Sequence, residues 1–435
     1  MIPIPEGNTT LALAMQYRLQ QTQSINVAAA NQLREQSLQS LLKHALSTVP
    51  YYREHPVIKA MGNQIHWGDF PILTRSALQA NESRLRSTAP PKNHGKIIEF
   101  RSSGSTGRPV HTFSSEYAQV YWRAMTVRDH LWARRDFSKK IAIIKFLPTG
   151  QSMYPGVASK TWGPSAAALG YQGPSVMLNS SESTATQYRW LTEQQPDYLL
   201  TYPSALLELA QIQLREKKLN RLKSISTLGE NLSDDTRKIV EKAFGCRIHD
   251  MYSSQEIGYI ALQCPKHNRY HIQQENCMVE ILDDNNQPCP PGVMGRVVVT
   301  SLQNYIMPLI RYEIGDYAVP GEGCDCGITL PVIKHIAGRT RNLLTYPDGR
   351  KTWPSYNPMA LMEIFPLARF QLEQTAVNDI TFRVMTEAEI SSNAEQQAIK
   401  IIQDAMQHPF NITVEKVDDL PRSAGGKYEE FKSVL

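Results

Sequence analysis

Nothing in the 435 residues is long and apolar enough to span a membrane as a helix: the longest strongly apolar runs, such as Ile141–Leu147, fall far below the roughly 18 residues a bilayer demands. Charge of one sign is also scarce. The 46 basic and 41 acidic side chains leave a formal charge of +5, and the only tight basic cluster is Arg134, Arg135, Lys139 and Lys140. That cluster reads as a solvated face, because a polyanion partner needs a larger patch interleaved with aromatics. Six cysteines are too few for a disulfide scaffold, and their grouping reads as metal binding in a reducing compartment. The stretch Met1–Thr10, with Pro3, Pro5 and Glu6, lacks the basic start and apolar core of a secretory signal. A cytoplasmic protein with no membrane and no nucleic-acid partner is expected.

What is present is a globular composition, 41% hydrophobic and 20% charged, in a chain too long for one core. From Leu33 the apolar residues at 38, 41, 42, 45, 46 and 49 recur at helical spacing and mark an amphipathic helix that Pro50 ends. Between about 140 and 330 the runs Ile141–Leu147, Tyr198–Tyr202, Ser224–Leu228 and Arg247–Tyr252 alternate with helical stretches Ala205–Lys217 and Ser233–Phe244. This is the rhythm of crossover units and predicts a largely parallel sheet with ligands beyond the strand carboxyl ends. Met278–Leu282 and Gly295–Ser301 follow without a helix between them, as in a hairpin-type β subdomain. After Gly338 a turn at Tyr346–Gly349, a strand Ile380–Val384, a helix over about Glu387–Gln407 and a strand Ile412–Val417 predict a small α+β unit. The expected fold class is therefore α/β: a large multi-subdomain body over 1–338, with mostly parallel sheets and a β subdomain, and a small mobile α+β lid over 339–435.

The sharpest chemical signal is Arg101-Ser-Ser-Gly-Ser-Thr-Gly-Arg-Pro-Val110. Gly104 and Gly107 let backbone N–H groups approach phosphate oxygens, while Ser102, Ser103, Ser105 and Thr106 add hydroxyls and a magnesium ligand. No Gly-Lys-Ser/Thr ends the loop, so it is not a Walker loop; a plain Ser/Gly surface loop is the alternative on composition alone.

Ser-Ser-Gly-Ser-Thr-Gly-Arg-Pro resembles the nucleotide loop of the adenylate-forming enzymes, and the phenylacetate–CoA ligase and capsule-biosynthesis-protein branch is the most similar. Five further stretches fall in that family's order: Val49-Pro-Tyr-Tyr-Arg-Glu54; Leu228-Gly-Glu230; Met251-Tyr-Ser-Ser-Gln-Glu-Ile-Gly258; Ile310-Arg-Tyr-Glu-Ile-Gly-Asp316; and Gly338-Arg339 followed by Pro421-Arg-Ser-Ala-Gly-Gly-Lys427. The resemblance implies nucleotide contacts from Gly229 and Glu230, a Tyr252 ring stacked on adenine, Glu256 and Thr106 on Mg²⁺, Asp316 on the ribose hydroxyls and Arg339 near ribose and phosphate. It also implies that Lys427 bridges the attacking carboxylate and the α-phosphate, with Gly425 and Gly426 giving the backbone freedom for that insertion. Ser253 stands where family members usually carry glycine.

The implied chemistry is activation of a small carboxylic acid by ATP and Mg²⁺ to an acyl-adenylate, then transfer to coenzyme A or another nucleophile. The stretch Arg339-Thr-Arg-Asn342 lacks the acidic hinge of phenylacetate–CoA ligases, and Tyr346-Pro-Asp-Gly-Arg350 is nearer the capsule branch. An amine or hydroxyl acceptor, or a catalytically silent homologue, is therefore the alternative. By analogy Met153, Tyr154, Trp162 and Tyr202 would wall the acyl pocket. A homodimer is left open.

A second constellation is independent of these motifs. Cys264-Pro-Lys-His267 and Cys324-Asp-Cys326 supply three thiols and one imidazole from two short clusters separated by 56 residues, the ligand count of a closed, structural zinc site. Cys246 is an alternative ligand, and Cys277 and Cys289 are expected to stay unliganded. His249, His271 and His335 are expected to be structural.

Overall fold

The computed structural model describes residues 8–62, 65–101, 110–167, 170, 173–339, 342–354, 358–365, 369–386, 388–420 and 428–435. The chain divides into two compact units. One comprises Met1–Lys140, Ser159–Ser175 and His249–Ile336; the other comprises Ile141–Ala158, Val176–Ile248 and Ala337–Leu435. Residues 339–435 thus belong to a unit that also contains two earlier segments.

In the first unit the helix Val27–Thr48 starts at Asn26, whose side chain accepts from the Ala29 N–H, and buries Leu38, Leu41, Leu42 and Ala45. Pro50 ends it as expected and also opens a short helix, Pro50–Glu54, where the missing proline N–H is no loss. Tyr52 of that helix is fully buried. Its hydroxyl donates to the Pro308 carbonyl at 2.9 Å and accepts from the Ile310 N–H at 3.1 Å. The Val-Pro-Tyr-Tyr motif therefore buttresses the segment that leads into Arg311–Asp316.

The strands of this unit are joined by antiparallel pairing wherever their register is given. Cys277–Leu282 pairs with Gly295–Ser301 in the expected hairpin, Gly295–Ser301 pairs with Tyr312–Pro320, and Tyr270–Ile272 pairs with both Gly258–Gln263 and Val332–Arg339. Alternate residues such as Val297, Val299, Ile281, Tyr312 and Ile333 fill the core beneath.

Of the basic cluster, Arg134 and Lys139 are exposed and Lys140 half-buried, as a solvated face requires, and Arg135 alone departs from it. Arg135 is buried, donates to Asp129 at 2.6 Å and reaches His130 Nδ1 at 2.8 Å. Asp129 and His130 lie in the last turn of the helix Glu116–Trp132, so a fixed guanidinium with a carboxylate and an imidazole closes that helix end.

The second unit carries the parallel pairing. Ile141–Lys145 pairs with Tyr198–Thr201, which pairs with Ser224–Leu228, all parallel, with the helices Pro203–Glu216 and Asp234–Phe244 as crossovers. Leu199, Ile225, Leu206, Leu209 and Val240 form its core. The same unit holds a four-stranded sheet in the order Asn411–Lys416, Asp379–Met385, Arg369–Ala376, Phe431–Ser433, covered by the helix Ser392–Met406 through Ala398 and Ile402. Its central pair is antiparallel and its outer pairs parallel.

Candidate active site

Within the first unit the structure brings Tyr252, Glu256 and Asp316 into one neighbourhood. Tyr252 ends an antiparallel pairing in which it faces Ala261; the register then slips, so Ser253 faces Tyr259 and Ser254 faces Gly258. Such a bulge re-aims side chains at the end of a strand. The following turn is closed by the Ile257 N–H donating to Ser254 Oγ at 3.2 Å and by Asn276, whose amide donates to the Ile257 and Tyr259 carbonyls. Gly258 sits at φ 94°, a backbone conformation that side-chain-bearing residues rarely adopt, so glycine is favoured there.

The Tyr252 hydroxyl donates to Asp316 Oδ2 at 2.7 Å. Asp316 is placed by the strand Tyr312–Pro320, directly after Gly315 at φ 86°. The Glu256 side chain is 9% exposed and lies 3.9 Å from Arg75, the first residue of the helix Arg75–Ala80. Tyr312 lies between these groups: burial raises its phenol well above the ordinary range, and the Glu256 charge adds to the effect. A carboxylate fixed by a phenol, a second carboxylate beside a guanidinium and a nearby aromatic ring are groups suited to a sugar diol, a cation and a base.

Arg311 belongs to the support of this group. Its guanidinium donates to the carbonyls of Trp67, Gly68 and Phe70, and it pairs with Glu280 at 3.2 Å.

In the second unit, Gly229 at φ 77° turns the chain out of the strand Ser224–Leu228. Glu230 follows, and its carboxylate is bonded on both oxygens. Oε2 accepts from the Ser204 N–H at 3.0 Å, at the N-terminus of the helix Pro203–Glu216, and Oε1 accepts from the Tyr428 N–H at 2.7 Å. Its neighbour Asn231 donates to the Ala337 carbonyl at 3.5 Å. The turn thus holds the start and the end of the 337–435 stretch. Arg339 ends the strand Val332–Arg339, after Gly338 at φ 115°, where a Cβ would meet the Trp353 indole at 3.1 Å. Ser102, Ser103, Gly104, Ser105, Thr106, Gly107 and Lys427 lie outside the described residues.

Of the acyl-wall candidates, Trp162 is a core residue: its indole donates to the Lys139 carbonyl and packs against Phe137 and His130. Tyr202 is buried and its hydroxyl accepts from the Phe146 N–H. Met153 and Tyr154 are 38% and 39% exposed.

The thiol cluster forms with a different histidine from the one its spacing suggests. Cys264, Cys324, Cys326 and His271 bring one ligand atom each within 4.8 Å of one another. His267 is not in this group; its Nε2 is taken by Asp325 Oδ1 at 2.5 Å, and Asp325 is pulled down in pKa by that bond. His271 is thereby moved from the structural histidines to the cluster. Cys246 is not in the group either; it packs beside an apolar core, where burial pushes its thiol up to about 12. Cys277 and Cys289 stand outside the cluster, as expected.

A family model described as AMP-binding enzyme matches residues 14–307, well over half of the chain. The chain belongs to the AMP-binding enzyme family. Among its relatives, the phenylacetate-coenzyme A ligase of Pseudomonas putida is 25% identical over 309 residues, 67% of each chain. That of Escherichia coli (strain K12) is 25% identical over 378 residues, 82% of each. Among solved structures, 2-hydroxyisobutyryl-CoA ligase in its postadenylation state superposes with a TM-score of 0.73 at 19% identity, covering 95% of this chain and 91% of that one. The AMP-binding family and the phenylacetate–CoA ligase branch are those the six motifs imply, and the mixed α/β architecture is shared.

Three residues of this AMP-binding enzyme escaped sequence reading: Arg75, beside Glu256; Asn231, holding Ala337; and His271, inside the thiol cluster. For His271 a signal exists. It is the polar centre of Tyr-His-Ile between two thiol-bearing segments, and it is fully buried. Arg75 and Asn231 carry no local signal.

Proposed function

We propose that the chain activates a small carboxylic acid with ATP, releasing pyrophosphate, and then transfers the acyl group from the adenylate to coenzyme A. The observation that carries this reading is the Tyr252–Asp316 hydrogen bond with Glu256 nearby, in a chain that belongs to the AMP-binding family.

On this reading Tyr252 stacks on adenine, Asp316 accepts the ribose hydroxyls and the serine-rich loop Ser102–Gly107 cradles the phosphates. Glu256 and Thr106 would hold Mg²⁺, which neutralises phosphate charge when bound. The donor chemistry fits: the Glu256 side chain is a carboxylate, the oxygen donor that Mg²⁺ takes, and it lies within 3.9 Å of Arg75. The acid is ionised near pH 7, so positioning and charge neutralisation suffice for its attack on the α-phosphorus, with Lys427 stabilising the developing charge. The carboxylate oxygen forms the new P–O bond as pyrophosphate leaves. The coenzyme A thiolate then forms the C–S bond as AMP leaves. Residues 339–435 act as the lid that delivers Lys427, turning at about Arg339–Asn342.

A structural Zn²⁺ at the thiol cluster is part of this proposal, and cysteines that form no disulfide suit a reducing, cytoplasmic setting. No helix among the described residues is long and apolar enough to cross a membrane.

The test is hydroxamate trapping over a library of aromatic and aliphatic acids. One or a few acids should yield ATP-dependent hydroxamate; no yield with any acid contradicts the proposal.

A further inference from the structure

We infer that Cys264, His271, Cys324 and Cys326 ligate one tetrahedral Zn²⁺ that pins an irregular loop onto the sheet of the first unit. The inference does not depend on the acid-activation reading, and it assigns the fourth ligand and the job of the metal.

The spacing of the ligand atoms is that of a metal site and not of a disulfide. Cys264 Sγ and Cys324 Sγ are 3.7 Å apart. Two sulfurs at about 2.3 Å from one tetrahedral zinc are separated by about 3.8 Å, whereas a disulfide requires about 2.05 Å. His271 Nε2 lies 3.2 Å from Cys326 Sγ, a few tenths of an ångström inside the separation of about 3.6 Å that a shared tetrahedral zinc would set.

The orientation of the imidazole is set from behind. His271 Nδ1 is 3.1 Å from the Leu330 carbonyl. A carbonyl only accepts, so Nδ1 carries the proton and the Nε2 lone pair points among the sulfurs. This is the carbonyl–histidine–metal relay that fixes the tautomer of zinc-bound histidines. The sulfurs receive similar support. The Lys266 N–H donates to Cys264 Sγ and the Ile328 N–H donates to Cys326 Sγ, each at 3.4 Å and each from two residues downstream. Backbone donors turned onto sulfur favour the thiolate that a metal needs.

His271 reaches the cluster through strand register. It sits in Tyr270–Ile272, opposite Leu262 on one side and Val332 on the other, while Cys264 directly follows the strand Gly258–Gln263. Cys324 and Cys326 lie on residues 321–331, which contain neither helix nor strand. An ion would clip this loop to the Gly258–Ile272 hairpin. The loop in turn reaches the N-terminal segment, since Thr329 donates to Gln23 and Ile25 carbonyls. With four protein ligands no coordination position is left for substrate, so the metal is structural.

The experiment is elemental analysis of the full-length protein purified without chelator, on wild type and on the variants Cys326→Ser, His271→Ala and His267→Ala. It is accompanied by Co²⁺ titration of metal-stripped wild type. One zinc per chain is expected in wild type and in His267→Ala, with loss of most of the metal in the other two. Cobalt should give the intense visible bands of tetrahedral thiolate coordination. The cobalt spectrum of wild type is a readout independent of whether Cys326→Ser folds. Wild type holding less than about half an equivalent of zinc and producing no such bands with cobalt would overturn the assignment. Stoichiometric iron in place of zinc would overturn it, and so would metal loss in His267→Ala equal to that in His271→Ala.

Discussion

The Tyr252 hydroxyl holds Asp316 Oδ2 at 2.7 Å, joining the end of the strand Arg247–Ser254 to the strand Tyr312–Pro320. A hydrogen bond to a charged group contributes about 1.5–3 kcal/mol. Tyr252→Phe keeps the ring and removes only that bond. If Asp316 binds ribose, the variant should raise KM for ATP roughly tenfold to a hundredfold while kcat changes much less. Steady-state kinetics with ATP varied at saturating acid is the check, and an unchanged KM contradicts the ribose role.

Glu230 offers a second test because it anchors the residue that follows Lys427. Glu230→Gln replaces one accepting oxygen with an amide nitrogen that cannot accept from either the Ser204 or the Tyr428 N–H. Pyrophosphate release should fall by about tenfold or more, on the scale of one charge-assisted hydrogen bond. Conversion of chemically prepared acyl-adenylate to thioester should change little. Equal loss in both half-reactions would indicate a general structural defect instead.

Arg311 tests the support beneath the site. It is fully buried against Glu280 and three backbone carbonyls. Arg311→Met leaves those acceptors unpaired and should cost about 3–5 kcal/mol in urea unfolding. A loss under about 1 kcal/mol would show that the pair contributes only what surface pairs do.

His130 sets a pH dependence. Burial, with the Arg135 guanidinium adding to it, holds its pKa well below 6.5, so the folded state keeps it neutral. The unfolded chain takes up a proton near pH 6.5 and the folded chain does not, so unfolding gains protons as pH falls. The stability contribution is fully present above about pH 6.5 and declines below it. His130→Asn should lose less stability between pH 7 and pH 5 than wild type, measured by thermal unfolding. An identical decline in both proteins contradicts the assignment.

How much of this was legible follows from range along the chain. The strands Ile141–Lys145, Tyr198–Thr201 and Ser224–Leu228 and their crossover helices announce themselves through short apolar runs and local periodicity. So does the 278–301 hairpin, and the ordered motifs point to the AMP-binding family. The Glu230–Tyr428 contact joins residues 198 positions apart, and no local pattern encodes it. The His271 ligand depends on two-sided strand register, which no local pattern encodes, whereas spacing alone points to the nearby His267. Arg135 illustrates the same limit: as a basic residue among basic residues it reads as solvated, until Asp129 and His130, one helical turn and a corner away, enclose it.

The central claim is acid activation by adenylate formation. Incubation with ATP, Mg²⁺ and each of a panel of carboxylic acids, with pyrophosphate, AMP, ADP and phosphate all quantified, tests it most directly. Pyrophosphate release that depends on one class of acid, with AMP formed in step once coenzyme A is added, is the predicted result. Release of ADP and phosphate, or no pyrophosphate with any acid, would contradict the account.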